Sequence, residues 1–335
     1  MKTQAFDATL ADWPALHEPG GFSGLLLGNG ASRAVWRNFA YDSLFETARS
    51  VANRPLGLTD LALFKSLGTQ SFVRVLSDLN AAVRVNAALA ISSTAPLNRY
   101  YSIKEALIHA MRSVHIPWER LPGSHLQAIN QALAPYTTIY STNYDLLLHW
   151  AVQANPDGFD ELVRDDLAFD LRNTRSPASR VLYLHGALHL VHDNTGTTRM
   201  RSAVGSSLLD GFAINTPGDV PLFVNEGPSE EKQRTIRASD YLSWCNAQLS
   251  RHEGAMCLFG HQLGTQDLHI VQALREARLT RLAISIFPLS DAWVISQKAR
   301  YSQLFEGSET QLQFFDATSH PLGRPELGVA NGKRR

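Results

Sequence analysis

Apolar residues fall along this chain in two rhythms. Short unbroken runs, closed by small or polar residues, occur at Gly24–Leu27, Thr137–Ser141, Arg180–Leu184, Val220–Val224, Ala255–Phe259 and Arg281–Phe287, with Gln311–Phe315 as a seventh. Runs of this length without alternation predict strands buried on both faces. Helical patterns lie between several of them, the alternation of a parallel sheet with crossover helices.

The second rhythm fills the interval from Ala31 to Pro135. Here "LNAAVRVNAALAIS", "YYSIKEALIHAMRSV" and "HLQAINQALA" carry apolar residues at helical spacing, and no convincing strand interrupts them. The expectation is therefore α/β: a Rossmann-like parallel sheet with helices on both faces and a helical insertion, a cap or side layer at about 31–135, after the first strand. One domain spanning 1–330 accommodates these elements. Polar segments at Asp170–Ser179 and His192–Ser207 read as surface loops, and the stretch from Ser319 to Arg335 as a flexible tail.

Composition narrows the function. Hydrophobic residues make up 44% of the 335 and charged residues 19%, a globular balance. Lys plus Arg equals Asp plus Glu at 31 each, so no overall field recruits nucleic acid or an anionic membrane. The first residues lack an apolar signal-peptide core, and no apolar run approaches the about 20 residues that span a bilayer. Two cysteines, Cys245 and Cys257, make neither a disulfide framework nor a four-thiolate zinc site. A cytoplasmic location is expected.

Chemistry concentrates where strands end. "LLLGNGASR" brings Gly28, Asn29, Gly30 and Ser32 into a strand–turn–helix of the kind that lets backbone N–H groups meet a phosphate. As a dinucleotide fingerprint it fails twice, since Arg33 stands at the third glycine and the next segment, "LFETARSVANRPLG", reads as helix and loop. A tight βα turn without a ligand is the competing reading, and for the motif alone the favoured one. "STNYD" sets Thr142, Asn143 and Asp145 at the carboxyl end of the second strand, where open α/β sheets bind ligands. Asp145 suits a helix cap, whereas Asn143 is freer to face a ligand. "LYLHG" ends a strand in His185, either a satisfied strand-end histidine or a general base. His185 and His189 are four apart, but the strand-like context and the lack of a third ligand at suitable spacing argue against zinc. "FGHQLGTQDLHI" adds Gly260, His261 and Asp267, with His269 opening a helix.

In that order the turns resemble the sirtuin-like family of NAD-consuming domains. "GNGAS" resembles its first phosphate loop, Gly-Ala-Gly-x-Ser; "STNYD" its Thr-x-Asn-x-Asp; "LHG" its catalytic His-Gly; and "FGHQLGTQDLHI" its later ribose and phosphate loop. The likeness runs from about Gly24 to Ile286 and is nearest to bacterial sirtuin-like proteins of uncharacterised or antiphage-defence type. It implies that Asn143 and His185 form a catalytic pair, and that Gly28, Asn29, Gly30, Ser32, Thr142, Asp145, Gly260, His261 and Asp267 line the NAD path. The chain departs from deacylating sirtuins in lacking four zinc-ribbon cysteines. It also has "RNFAYDSLFE" where they carry Pro-Asp-Phe-Arg.

These departures favour hydrolysis of NAD to nicotinamide and ADP-ribose over protein deacylation. They make NAD a substrate, with no further cofactor and no zinc expected. A nucleotide-binding sensor without turnover is the alternative. A constitutive NAD hydrolase would deplete its own cell, so a homo-oligomer or a gating partner protein is expected, with the 31–135 helices as its means.

Overall fold

The computed structural model describes residues 6–16, 21–39, 43–163, 168–170, 178–192, 197–201, 220–224 and 228–330. Ten strands lie among them: β1 (Gly24–Leu27), β2 (Thr138–Ser141), β3 (Phe159–Asp160), β4 (Ser179–Tyr183), β5 (Gly186–His192), β6 (Thr198–Met200), β7 (Pro221–Phe223), β8 (Glu253–Phe259), β9 (Arg278–Ile286) and β10 (Gln311–Asp316). Seven form one parallel sheet, in the order β10-β9-β8-β1-β2-β4-β3, flanked by helices in a Rossmann-like α/β fold. Unbroken apolar runs suit the middle of such a sheet: Leu25, Leu26, Ile139, Val181 and Leu258 are fully buried, each worth about 1.5–3 kcal/mol.

Strand order fixes where a ligand would sit. The chain steps from β1 to β2 and β4 on one side, then returns to place β8, β9 and β10 on the other. The reversal falls between β1 and β8, and the crevice beyond the carboxyl ends of strands at such a switch point is the usual binding place of open α/β sheets.

Helices occupy most of 29–133, at Asn29–Val35, Leu44–Ser50, Leu58–Ser66, Phe72–Ala88, Thr94–Val114 and Gly123–Leu133. They form the expected helical insertion and buttress the strand-end turns from behind. Trp36 Nε1 donates to the Val114 carbonyl at 3.0 Å, and Leu146 N, just past β2, donates to His115 Nε2 at 3.0 Å. Among the described residues no helix is long and apolar enough to cross a membrane.

Three local expectations need correction. Val220–Val224 reads as a strand of the main sheet, but β7 pairs antiparallel with β5, which also pairs with β6, in a separate three-stranded sheet. The apolar signal is right about a buried strand, but its partner, β5, lies earlier in the chain with β6 between them, a pairing that a linear pattern does not name. The supposed loop at 192–207 contributes His192 to β5 and Thr198–Met200 to β6, the rest of it lying outside the described residues except 197 and 201. Most of the loop expected at 170–179, residues 171–177, also falls outside them.

The expected tail is not loose over 319–330. Three 3₁₀ turns run from Ala317 to Leu327 and bury His320, Leu322 and Leu327. The His320 ring packs against Trp13 and Phe259 with centroids 4.6 Å away in each case, and its Nε2 lies 3.1 Å from the Tyr136 hydroxyl. A few anchors suffice to hold a segment whose average composition is polar.

Candidate functional site

The glycine turn is built by contact between two backbones. Gly28 N donates to the Phe259 carbonyl at 2.9 Å and Gly30 N to the Gly260 carbonyl at 2.7 Å. A Cβ on Gly28 would lie 2.5 Å from the His261 Cα, and one on Gly30 2.7 Å from the Gly260 Cα. Gly260 adopts φ of +69°, and a Cβ there would meet Ala31 N at 2.5 Å. The loops after β1 and β8 thus fit together only because neither carries a side chain at the seam. This corrects the expectation of a phosphate cradle: the Gly28 and Gly30 amides are spent on protein carbonyls. Asn29 is exposed, and its Nδ2 donates to the Phe39 carbonyl at 3.0 Å.

One step along the sheet, the turn after β2 is tied to the same loop. Asn143 Nδ2 donates to the Gly28 carbonyl and to Ser32 Oγ, both at 3.0 Å, and Ser32 Oγ donates to Asp145 Oδ2 at 2.6 Å. Asp145 Oδ1 accepts from Leu147 N at 2.9 Å, at the start of the helix Leu147–Ala154. Asp145 thus accepts from the first residue of that helix without being its N-cap, which is Leu146, and it also anchors Ser32. Thr142 spends both its amide and its hydroxyl on the Leu27 carbonyl. Among the described residues nothing hydrogen-bonds Asn143 Oδ1, which leaves an unengaged acceptor in this network.

His185 follows β4 in the turn that leads to β5. Its Nε2 lies 2.8 Å from His269 Nε2, and His269 Nδ1 lies 3.3 Å from Ser229 Oγ. Lys232, on the helix Ser229–Arg237, donates to Asp267 Oδ1 at 2.7 Å. Burial holds the His185 imidazole well below its ordinary range, with the charges of Lys232, His269 and His261 adding to the effect. His269 is pushed down to about 4, mainly by burial, and His261 is lowered for the same reason. At neutral pH these rings are uncharged, so the 2.8 Å contact joins one N–H to one lone pair. In the tautomer where His185 Nε2 donates, its Nδ1 is left as a lone-pair base.

The fold thus unites Gly28, Ser32, Asn143 and Asp145 in one network, Gly28, Gly30, Gly260 and His261 in one seam, and His185, Asp267 and His269 in one cluster. No hydrogen bond joins Asn143 directly to His185. Lys232 and Ser229 have no motif to announce them; they reach the site from a polar helix. His269 sits two residues from Asp267 in the sequence, but only the fold pairs it with His185. The ligand atoms of His185, Asp267 and His269 lie within 4.8 Å of one another, yet the Lys232 ammonium already occupies the cation position beside Asp267. Both cysteines are buried, and burial pushes the Cys245 thiol up to about 12 and that of Cys257 upward as well, so neither offers a thiolate.

A search of curated proteins found no match to this chain. A family model described as a domain of unknown function, DUF4917, matches residues 25–322, from the first buried strand to the 3₁₀ turns after the last, and the chain belongs to that family.

Proposed function

We propose that the protein hydrolyses NAD at the nicotinamide–ribose bond, releasing nicotinamide and ADP-ribose. The observation that carries the reading is positional. The four turns singled out by chemistry follow β1, β2, β4 and β8, strands adjacent in one parallel sheet, on either side of its switch point. Depletion of NAD by this reaction fits the antiphage-defence role that the sirtuin-like resemblance implies.

In this reading the glycosidic electron pair leaves with nicotinamide, which departs neutral, and an oxocarbenium-like centre develops on the ribose. Water adds there and gives up a proton. Asn143, held by Gly28 and Ser32, directs Oδ1 toward the water or a ribose hydroxyl. Neutral His185, oriented by His269, accepts the proton or polarises a hydroxyl. Because the Gly28 and Gly30 amides are occupied, the pyrophosphate relies on other donors around the crevice, Lys232 among them.

A second reading has its own support: the buried His185, paired with His269, suits a nucleotide sensor that binds without turnover. Incubating the purified chain with NAD and following nicotinamide and ADP-ribose separates the two. Hydrolysis is expected, reduced about 10²–10⁴-fold by His185→Ala with the melting temperature largely retained. Binding without products supports the sensor. A well-folded His185→Ala variant that hydrolyses NAD at the parental rate refutes the mechanism.

A further inference from the structure

A second histidine cluster lies apart from these turns. His149 belongs to the helix Leu147–Ala154, Glu161 follows β3 at the edge of the large sheet, and His189 lies on β5 of the small one. All three are buried. His149 Nδ1 is 3.0 Å from Glu161 Oε1, and His189 Nε2 is 3.6 Å from the same oxygen. The two imidazoles stack with centroids 4.0 Å apart and planes 13° from parallel. One ligand atom from each residue lies within 4.8 Å of the others.

What needs explaining is His189. It is fully buried, and among the described residues neither of its ring nitrogens has a hydrogen-bond partner. A neutral imidazole offers one donor and one acceptor, and each buried polar atom left unmatched costs about 1–3 kcal/mol. Its Nε2 faces Glu161 Oε1 at a separation too long for a hydrogen bond. Two ligands of one tetrahedral ion, each bound at about 2.0–2.2 Å, stand about 3.3 Å apart. The observed 3.0 and 3.6 Å bracket that value.

The carboxylate is also held from behind. Tyr183 donates its hydroxyl to Glu161 Oε1 at 2.7 Å, and Gln153 Nε2 donates to Oε2 at 3.0 Å. Such outer partners orient metal-ligating carboxylates. We propose that His149, Glu161 and His189 bind a divalent transition-metal ion, zinc foremost. Two imidazoles and one carboxylate suit zinc and its neighbours, whereas calcium and magnesium take shells made of oxygen. Binding would engage the unmatched Nε2 of His189 and join three segments at the outer edge of the large sheet: the helix after β2, the segment after β3, and β5. Three protein ligands leave the fourth position to water, and the effect expected of the ion is to tie these segments together.

The site departs from the expectation of no zinc, because spacing along the chain cannot reveal ligands drawn from three separate elements. It is independent of the NAD reading. The test is elemental analysis of untagged protein purified from zinc-supplemented cells, followed by removal of metal with a chelator and titration with cobalt. About one equivalent of metal per chain is expected, with a lower melting temperature after removal and a cobalt ligand-field absorption on refilling. His189→Gln and Glu161→Gln should each lose the metal, while His269→Gln, in the other histidine cluster, should keep it. Protein with less than about half an equivalent that also takes up no cobalt overturns the proposal, whether or not any variant folds. So does metal lost with His269→Gln but retained with His189→Gln.

Discussion

Replacing Ser32 by alanine tests whether the loops after β1 and β2 are one mechanical unit. The Ser32 side chain is 2% exposed, donates to the Asp145 carboxylate at 2.6 Å and accepts from Asn143 Nδ2 at 3.0 Å. A bond to a charged acceptor contributes about 1.5–3 kcal/mol and a neutral one about 1 kcal/mol. Asp145 retains Leu147 N and Asn143 retains the Gly28 carbonyl, so neither partner is left bare. The expected loss is about 3 kcal/mol. With about 2.1 cal/mol/K of unfolding entropy per residue, a chain of 335 residues loses about 4 °C in melting temperature for that change. The assay is urea unfolding of Ser32→Ala, Asp145→Asn and the double variant. Because the two residues share a bond, the cycle should return a coupling of about 1–2 kcal/mol. A coupling below about 0.3 kcal/mol, the scatter of independent sites, refutes the network. In the NAD reading the folded Ser32→Ala protein also turns over about 10²-fold slower, because Asn143 loses a support.

Three further outcomes are expected. Gly260→Ala meets a positive φ and a backbone clash together and should lose at least about 3 kcal/mol, whereas Gly68→Ala, at φ of +61° with nothing within 4 Å of the new Cβ, should lose only about 1 kcal/mol; equal losses on denaturation would refute the seam. His252 is pushed down to about 4 by burial, as is His269; because the unfolded chain binds protons first, stability should be flat above about pH 6.5 and fall as pH drops toward 4, by about 2 kcal/mol for His252 near pH 5. His252→Gln should flatten that slope in denaturation followed at several pH values. His320→Ala should cost about 2–4 kcal/mol by melting or denaturant, since it empties a site between Trp13 and Phe259; a neutral result would mean that the final turns do not anchor the fold.

Much of the fold was legible because buried parallel strands leave apolar runs that need no partner to be recognised. Leu25–Leu27, Ile139 and Leu282–Ile284 announce themselves, and the helical spacing of Ile103, Leu107 and Met111 announces the insertion. Pairing is different. Nothing local distinguishes Pro221–Phe223 as a small-sheet strand, and β6 consists of Thr, Arg and Met with a single apolar residue. The same division holds at the site. Asn143 and His185 could be singled out because each stands where a strand ends, but the occupation of Gly28 N by Phe259 and of His185 Nε2 by His269 depends on residues far along the chain. His320, in a segment that reads as a frayed tail, is buried by Trp13 and Tyr136, which lie more than a hundred residues upstream.

The position of β1 at the centre of the sheet has a consequence for biosynthesis. Leu25 pairs with Ile139 on one flank and with Cys257 on the other, so its two neighbours are made about 110 and about 230 residues later. At about 5–20 residues per second, β1 waits about 10–50 s for its second partner. During that interval an apolar strand with one open edge can pair with another nascent chain. A polypeptide released before β8 would keep Gly28 and Gly30 but have no Phe259 or Gly260 to close against. Yield from slow or interrupted translation should therefore depend on chaperones that shield Gly24–Leu27 until the last third of the chain arrives.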